Sequence, residues 1–320
     1  MILILSTPHD FDTQEVIDWL KYKKTDFFRL NDEDLINGTV EFNFDPINKK
    51  ESYFLQNNIK IHIYDIKVVW FRKFGFLKSY EDKFGKDSGL VKYLYSELNI
   101  LRSIIINLLE DKNWLFKKTN MPTKLKVLEV AYNCDLKIPK TLITSSKNEL
   151  NKFLEKKQNS AISKSLGEGK NISYNGKIYP FFTKKVDVTD EFHDKFSPSF
   201  IQEYIEKKYE LRIFYIDGEF YSMVIFSQNN PKTTTDFRNY DFEKPNRFEP
   251  YNLPYEVKKK LNKMMIKLGL NTGSIDMIKA TNGEYYFLEV NPSGQFGMTS
   301  TPCNYNLYEK VANYLISKSI

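Results

Sequence analysis

The chain is 320 residues long, 41% hydrophobic and 28% charged. That is enough for two ordinary globular domains and unlike a fibre or a disordered tail. Lysine and arginine outnumber aspartate and glutamate 47 to 41. The lysine pairs are spread along the chain, and zinc-finger spacing, an RNP-type aromatic motif and a basic region leading into heptads are all missing, so nucleic acid is not the expected partner. No apolar run reaches the ~18 residues of a membrane span. Two cysteines, Cys134 and Cys303, do not make a disulfide framework and fit a reducing, cytoplasmic setting.

Met1-Ile2-Leu3-Ile4-Leu5 has no basic region before it and reads as a first strand, not a signal peptide. Asp12-Thr13-Gln14-Glu15 follows as a capping-box pattern ahead of Val16, Ile17 and Leu20 at helical spacing. Strands are expected near Ile61 to Tyr64 and over Val68 to Arg72. A longer helix is expected from Leu90 to Leu109, before a break at Asn120-Met121-Pro122. These elements predict an α/β domain over residues 1–120.

Beyond the break, a helix is expected from Lys124 to Asp135, then an extended segment Ile138 to Ile143 entered through Pro139. A helix from Lys147 to Lys157 and a strand Ala161 to Lys164 come next, the strand running into the small loop Ser165-Leu166-Gly167-Glu168-Gly169-Lys170. Three hairpin signals follow, Asn175-Gly176, Asp217-Gly218 and Asn282-Gly283, each flanked by aromatic and β-branched residues. The second half is therefore rich in antiparallel sheet. Gln228 to Asn246 is polar, contains proline and reads as a long surface loop.

The last hairpin carries chemistry. With a two-residue turn at Asn282-Gly283, opposed residues sum to 565 and Asp276 lies directly across from Glu289, with Asn291 on the same face. Like charges in that relation repel, so something must compensate them. A hard divalent cation held by Asp276, Glu289 and the Asn291 amide oxygen, completed by phosphate oxygens and water, would do so. A surface hairpin with solvated or lysine-paired carboxylates has the same spacing. Ile275, Met277, Leu288 and Val290 on the opposite face, and the sharp turn Pro292-Ser293-Gly294-Gln295-Phe296-Gly297, weigh against it.

Upstream, Arg212 alternates with Glu210 on the strand that enters the Asp217-Gly218 hairpin, so both can face one cleft. An arginine there is a natural phosphate partner. Taken singly, Arg212, Lys124 and Lys164 read equally well as surface residues. The Gly167-Glu168-Gly169 loop could approach phosphates through backbone N–H groups but lacks the Walker spacing, which argues against a P-loop enzyme.

In order along the chain, these features resemble the ATP-grasp superfamily over about residues 120–300. The likeness rests on Lys124, Ile138-Pro139-Lys140-Thr141-Leu142, Lys164, Gln202-Glu203-Tyr204-Ile205, Glu210-Leu211-Arg212, Asp276 and Leu288-Glu289-Val290-Asn291-Pro292. It implies an α/β (α+β) chain with an N-terminal pre-ATP-grasp domain (1–120), a central subdomain (121–205) and a C-terminal catalytic subdomain (206–320), the last two enclosing ATP between antiparallel sheets. It further implies that Lys124 and Lys164 contact phosphates, that the backbone of Glu203, Tyr204 and Ile205 reads adenine, and that Glu210 approaches the ribose. Arg212 would steady the γ-phosphate, and Asp276, Glu289 and Asn291 would hold Mg²⁺.

The N-terminal residues Met1 to Ser6, Asp10, Thr13, Val16, Trp19-Leu20 and Val69-Trp70-Phe71-Arg72 are similar to microviridin-type graspetide synthetases, with the grasp-with-spasm group as the nearest branch. Thr233-Thr234-Thr235-Asp236-Phe237-Arg238 resembles the same branch and implies that Arg238 serves an acyl phosphate. The partner implied is a ribosomal precursor peptide with a leader and an acidic core, and a homodimer is implied as well. The alternatives are a RimK-like ligase that adds free amino acids and a nucleotide-binding regulatory protein without ligase activity. Catalysis by positioning and charge neutralisation needs no side-chain nucleophile, in keeping with the wide separation of His9, His62 and His193 in sequence.

Overall fold

An apolar run with no polar face belongs between two covered surfaces, and Ile2, Leu3, Ile4 and Leu5 are all completely buried. They form β1 (Ile2–Ser6), followed by α1 (Phe11–Tyr22) and β2 (Phe27–Asn31). The computed structural model describes residues 1–75, 84–85, 89–117, 122–155, 160–167, 172–174, 177–179, 183–186, 193–239 and 241–320. It divides into two compact units, Met1–Asn120 with Ser293–Ser300 and Tyr305–Ile320, and Met121–Pro292 with Thr301–Asn304.

The first unit continues through α2 (Asp34–Asn37), β3 (Glu41–Asn43), β4 (Tyr53–Gln56), β5 (Ile59–His62), β6 (Val68–Phe71), α3 (Gly89–Leu108) and β7 (Asn113–Leu115). Its main sheet is parallel in the order β2-β1-β6-β7, and β3-β4-β5 form a separate antiparallel meander. The cap of α1 is Asp10, two residues before the expected capping box, because its carboxylate accepts the Thr13 N–H at 3.1 Å.

Asp12 serves elsewhere. Arg72, at the end of β6, donates Nε to Asp10 at 2.9 Å and Nη2 to Asp12 at 2.6 Å, and its Nη1 reaches the carbonyls of Ser293 and Gly294 at 2.6 and 2.9 Å. Asp12 also accepts the N–H groups of Phe296 and Gly297. The charged side chains of this cluster are buried within the first unit, Arg72 being 2% exposed, while Ser293 and Gly297 are partly exposed. A buried guanidinium that meets two carboxylates and two carbonyls is satisfied, whereas either carboxylate left alone would be strongly destabilising.

The second unit contains α4 (Lys124–Tyr132), β8 (Thr141–Ser146), α5 (Lys147–Glu155), β9 (Ala161–Lys164), β10 (Ile172–Tyr174), β11 (Lys177–Tyr179), β12 (Lys184–Lys185) and β13 (Lys195–Glu203). β14 (Lys207–Ile216), β15 (Glu219–Phe226), β16 (Arg247–Tyr251), α6 (Tyr255–Lys267), β17 (Thr272–Ala280) and β18 (Tyr285–Asn291) complete it. Two antiparallel sheets result, β12-β9-β13-β8 and β16-β15-β14-β17-β18, beside the small pair β10-β11. The chain ends in α7 (Gly297–Cys303) and α8 (Leu307–Ser317). The fold is mixed α/β, and among the described residues no helix is long and apolar enough to cross a membrane.

The apolar pattern explains the layers. Ala161 and Ile201 face Leu150 and Leu154 of α5, which leaves Lys164, directly across from Phe200, on the other face of its sheet. Asp217-Gly218 is a two-residue turn with both φ angles positive, 45° and 96°, as a type I′ hairpin requires. Asn175-Gly176 lies outside the described residues, although its flanking strands pair through Tyr174 and Lys177. Among its described residues the loop over 228–246 lacks helix and strand as expected, yet it is not simply a surface loop: Thr233, Asp236 and Phe237 are buried. Cys134 is buried just beyond α4, which ends at Tyr132, three residues short of the expected end.

Arg72→Met should destabilise the first unit by about 3–5 kcal/mol at neutral pH by leaving Asp12 buried without its cation and Asp10 with Lys73 alone. Burial alone would raise Asp10, but Arg72 first, then Lys73 and Thr13, reverse this and lower it from 3.8 to about 2. A carboxyl lowered in the folded state stabilises above its unfolded value, and the contribution disappears as pH falls through the folded one. The gap between wild type and variant in urea melts should therefore narrow between pH 4 and pH 2. A gap independent of pH would contradict the assignment.

Candidate phosphate and metal site

Three adjacent strands place one charged residue each in a single transverse row. Arg212 of β14 lies across from Asp276 of β17, and Asp276 lies across from Glu289 of β18. In the next row Phe214 faces Ser274, and Ser274 faces Asn291, so Asn291 shares the face of the two carboxylates.

The pairing of Asp276 with Glu289 is the one expected, but it arises differently. The turn has three residues, since Ala280 and Glu284 close it, with Gly283 at a φ of 85°. That shifts the register by one residue, so that Met277 faces Phe287. A bulge at Leu288 then shifts it back, restoring Asp276 opposite Glu289. Leu288 is thus the inserted residue, and Phe287, fully buried, takes the place beside Ile275 and Met277 that the alternation assigned to Leu288. Gly273 is needed at the far end, where a Cβ would stand 2.8 Å from the Val290 side chain.

Compensation for the two carboxylates begins with Arg212. Its Nη1 lies 2.8 and 2.7 Å from the two oxygens of Asp276. The guanidinium is otherwise open: Nε is buried with no hydrogen-bond partner, and Nη2 makes no hydrogen bond among the described residues. Burial, followed by the like charge of Glu289, raises Asp276, and Arg212 and Arg238 oppose that shift. A carboxylate offers about four lone-pair positions, so Asp276 can keep Arg212 and still present oxygen to a cation. Oxygen donors from Asp276, Glu289 and Asn291 suit a hard ion such as Mg²⁺.

Lys164, on the other sheet, is half-buried, and its side chain makes no hydrogen bond or ion pair among the described residues. Burial lowers its pKa first, and the positive charges of Lys124 and Arg238 lower it further, while Glu289 and Asp236 pull the other way. These influences place Lys124, Lys164, Arg238 and Glu289 within one electrostatic neighbourhood. Lys124 donates to the Ser165 carbonyl at 3.1 Å, which ties the start of α4 to the end of β9. Gly167 is described, but Glu168 and Gly169 of the expected phosphate loop lie outside the described residues.

The other predicted residues are arranged as follows. Glu203 donates its N–H to the Lys140 carbonyl, and its side chain accepts the Lys140 N–H at 3.1 Å, while Tyr204 donates to the Ser160 carbonyl. Of the three residues expected to read adenine, two have their N–H groups committed, and Ile205 is the one whose N–H has no partner among the described residues. Glu210 is 7% exposed. One oxygen accepts from Lys207 at 2.6 Å and from Ser227 at 2.8 Å, leaving the other for a ligand. Burial raises its pKa against the pull of Lys207. Lys207 was not singled out in the sequence, because three positions along a regular strand point to opposite faces; a bulge between Lys207 and Tyr209 turns it back toward Glu210.

Arg238 sits in the long loop, its Nε and Nη2 at 2.9 and 2.6 Å from the carboxylate of Asp236. Its pKa is raised by that ion pair above all, and the charges of Glu289 and Asp276 reach it too. The site thus offers a lysine without a counter-ion, one edge of Arg212 and the remaining nitrogen of Arg238, all within the electrostatic reach of a pair of carboxylates. Such an arrangement binds a polyanion through cations and through a metal ion at once.

Known proteins agree with this architecture. The macrocyclase MdnC from Microcystis aeruginosa MRC, bound with precursor peptide MdnA, has a TM-score of 0.83 at 23% identity, covering 99% of this chain and 100% of that one. A Chryseobacterium gregarium RiPP-associated ATP-grasp ligase, in complex with ADP and a leader and core peptide, has a TM-score of 0.83 at 24% identity, with coverage of 99% and 96%. The ATP-grasp ligase PsnB, complexed with a phosphomimetic variant of its minimal precursor, Mg and ADP, has a TM-score of 0.81 at 16% identity, with coverage of 100% and 98%. At these identities the likeness is one of fold. No curated protein matches the chain. Residues 121–315, more than half of the sequence, match the RimK-like ATP-grasp domain, and the chain belongs to that family.

Proposed function

We propose that this protein is an ATP-dependent peptide ligase of the graspetide-synthetase type. It activates Asp or Glu side chains of a ribosomal precursor peptide as acyl phosphates and joins them to Ser, Thr or Lys side chains as macrocyclic esters or amides. The observation that carries this reading is the row Arg212–Asp276–Glu289 with its open guanidinium edge, set in the field of the unpaired Lys164. Transfer of a phosphoryl group to a carboxylate brings two anions together, so the protein's task is to neutralise and align them.

Asp276, Glu289 and Asn291 would hold Mg²⁺, which would supply positive charge to neutralise the phosphates. Lys124, at the start of α4, and Lys164, on β9, bind the phosphates, and Arg212 steadies the γ-phosphate through Nε and Nη2. The hinge recognises adenine with Ile205 as its available donor, and the unpaired oxygen of Glu210 meets the ribose. Arg238 stabilises the acyl phosphate while the acceptor attacks. The formal net charge of +6 favours encounter with an acidic core peptide. The likeness to peptide-bound ligases over 96–100% of their chains, in contrast to a match confined to the ATP-grasp domain, favours a precursor peptide over free amino acids as substrate. A homodimer working in the cytoplasm completes the picture.

Two variants test these roles. Asp276→Asn with Glu289→Gln should lower peptide ligation by about 100-fold or more while far-UV circular dichroism stays that of the wild type; a double variant with wild-type activity would overturn the metal assignment. Arg238→Ala should lower kcat for peptide ligation by roughly 100-fold and leave ATP affinity, titrated by calorimetry, within about threefold. Equal losses in both would move Arg238 to nucleotide binding.

A further inference from the structure

Arg238 needs a fixed position to act on an acyl phosphate, and its own segment is a loop of about twenty residues between β15 and β16. The loop is tied down on its inner side. Thr233 Oγ1 donates to the Ser227 carbonyl at 3.0 Å, and Lys207 Nζ reaches the Thr235 carbonyl at 3.3 Å. Next in sequence stands Asp236, 6% exposed, whose carboxylate takes four hydrogen bonds. Oδ1 accepts the Arg238 backbone N–H at 3.1 Å and Nε at 2.9 Å, and Oδ2 accepts Nη2 at 2.6 Å and the Thr183 N–H at 3.1 Å. Asp236 is lowered because Arg238 and these donors outweigh the effect of burial.

The fourth bond differs from the others. Thr183 immediately precedes β12, the edge strand of the sheet that carries Lys164, whereas Asp236 belongs to the loop of the sheet that carries Asp276 and Glu289. A single carboxylate therefore grips the arginine and fastens its loop to the opposite sheet. Arg238 side-chain atoms are 53% exposed and those of Asp236 only 6%, so the acid is the fixed base and the arginine the presented group. The fork geometry leaves the other Arg238 nitrogen directed away from its partner.

We infer that Asp236 is a positioning residue for acyl-phosphate stabilisation: it sets Arg238 by a forked ion pair and anchors it to the facing sheet through Thr183. The inference rests on the role proposed above for Arg238. Only a carboxylate serves, because all four neighbours are donors; an amide would turn an NH₂ group against Arg238 or against Thr183.

The test is steady-state kinetics of peptide ligation by the full chain with MgATP. Asp236→Asn should lower kcat by roughly tenfold to a hundredfold and change KM for ATP by less than about threefold, with Asp236→Glu recovering part of the loss. Combined with Arg238→Ala it should add nothing to that variant's own loss, as expected for two residues acting as one unit. Wild-type kcat in Asp236→Asn, beside a large loss in Arg238→Ala, would overturn the positioning role and leave the function intact. Wild-type kcat in Arg238→Ala would overturn the reading beneath it. Should Asp236→Asn fail to fold, guanidinium ion added to Arg238→Ala decides: recovery of turnover shows a preformed anionic socket, and no recovery overturns it.

Discussion

A row of three charges across three hydrogen-bonded strands holds the second unit's site together, and its sum is negative. Arg212 neutralises Asp276 through one nitrogen, so Glu289 remains as net charge, and its field reaches Lys164. Cross-strand neighbours stand about 5 Å apart, too close for two carboxylates to be indifferent to one another. The row is therefore poised: it is stable enough to fold, with Arg212 in place, and short of one further cation. A metal ion carried in with a polyphosphate satisfies both demands, since it brings positive charge to the carboxylates while the phosphates bring negative charge to Lys164 and to the open edge of Arg212.

Two arginines, one just after a strand and one within a strand, make an instructive contrast. Arg72 and Arg212 each meet aspartate, and each is mostly buried. Arg72 has carboxylates on two sides and carbonyls on the third, so nothing is left for a ligand and its task is to hold the segment 293–297 to β6 and α1 within the first unit. Arg212 is left with a buried, unpartnered Nε. A buried donor without an acceptor costs about 1–3 kcal/mol, a cost that a binding site recovers when its anion arrives.

Much of this could be read in the sequence, for identifiable reasons. The fully apolar β1, the amphipathic spacing of α3 and the Asp217-Gly218 turn each leave a local signature, and each element is found within a few residues of its expected place. The opposition of Asp276 and Glu289 was also legible, but through two departures that cancel: the turn is one residue longer than expected, and the bulge at Leu288 restores the register. Bulges leave no pattern in a single sequence, which is also why the Lys207–Glu210 pair was missed. The cap at Asp10 was displaced to Asp12 because both are acids near a helix start, and what distinguishes them is that Asp12 accepts the N–H groups of Phe296 and Gly297, far away in sequence. Asp236 had one faint signal, its place two residues before Arg238 in a loop whose buried centre composition could not reveal.

The account's central claim is that the charged row and its facing cations activate a peptide carboxylate for ring closure. Intact-mass spectrometry tests it most directly: acidic precursor peptides containing Ser, Thr or Lys, above all one encoded beside this gene, are incubated with the protein, Mg²⁺ and ATP. The account predicts the loss of one water for each linkage formed, dependent on ATP and absent without the protein. A gain in mass matching added amino acids, or an unchanged peptide from the precursor encoded beside the gene despite tight MgATP binding, would contradict it.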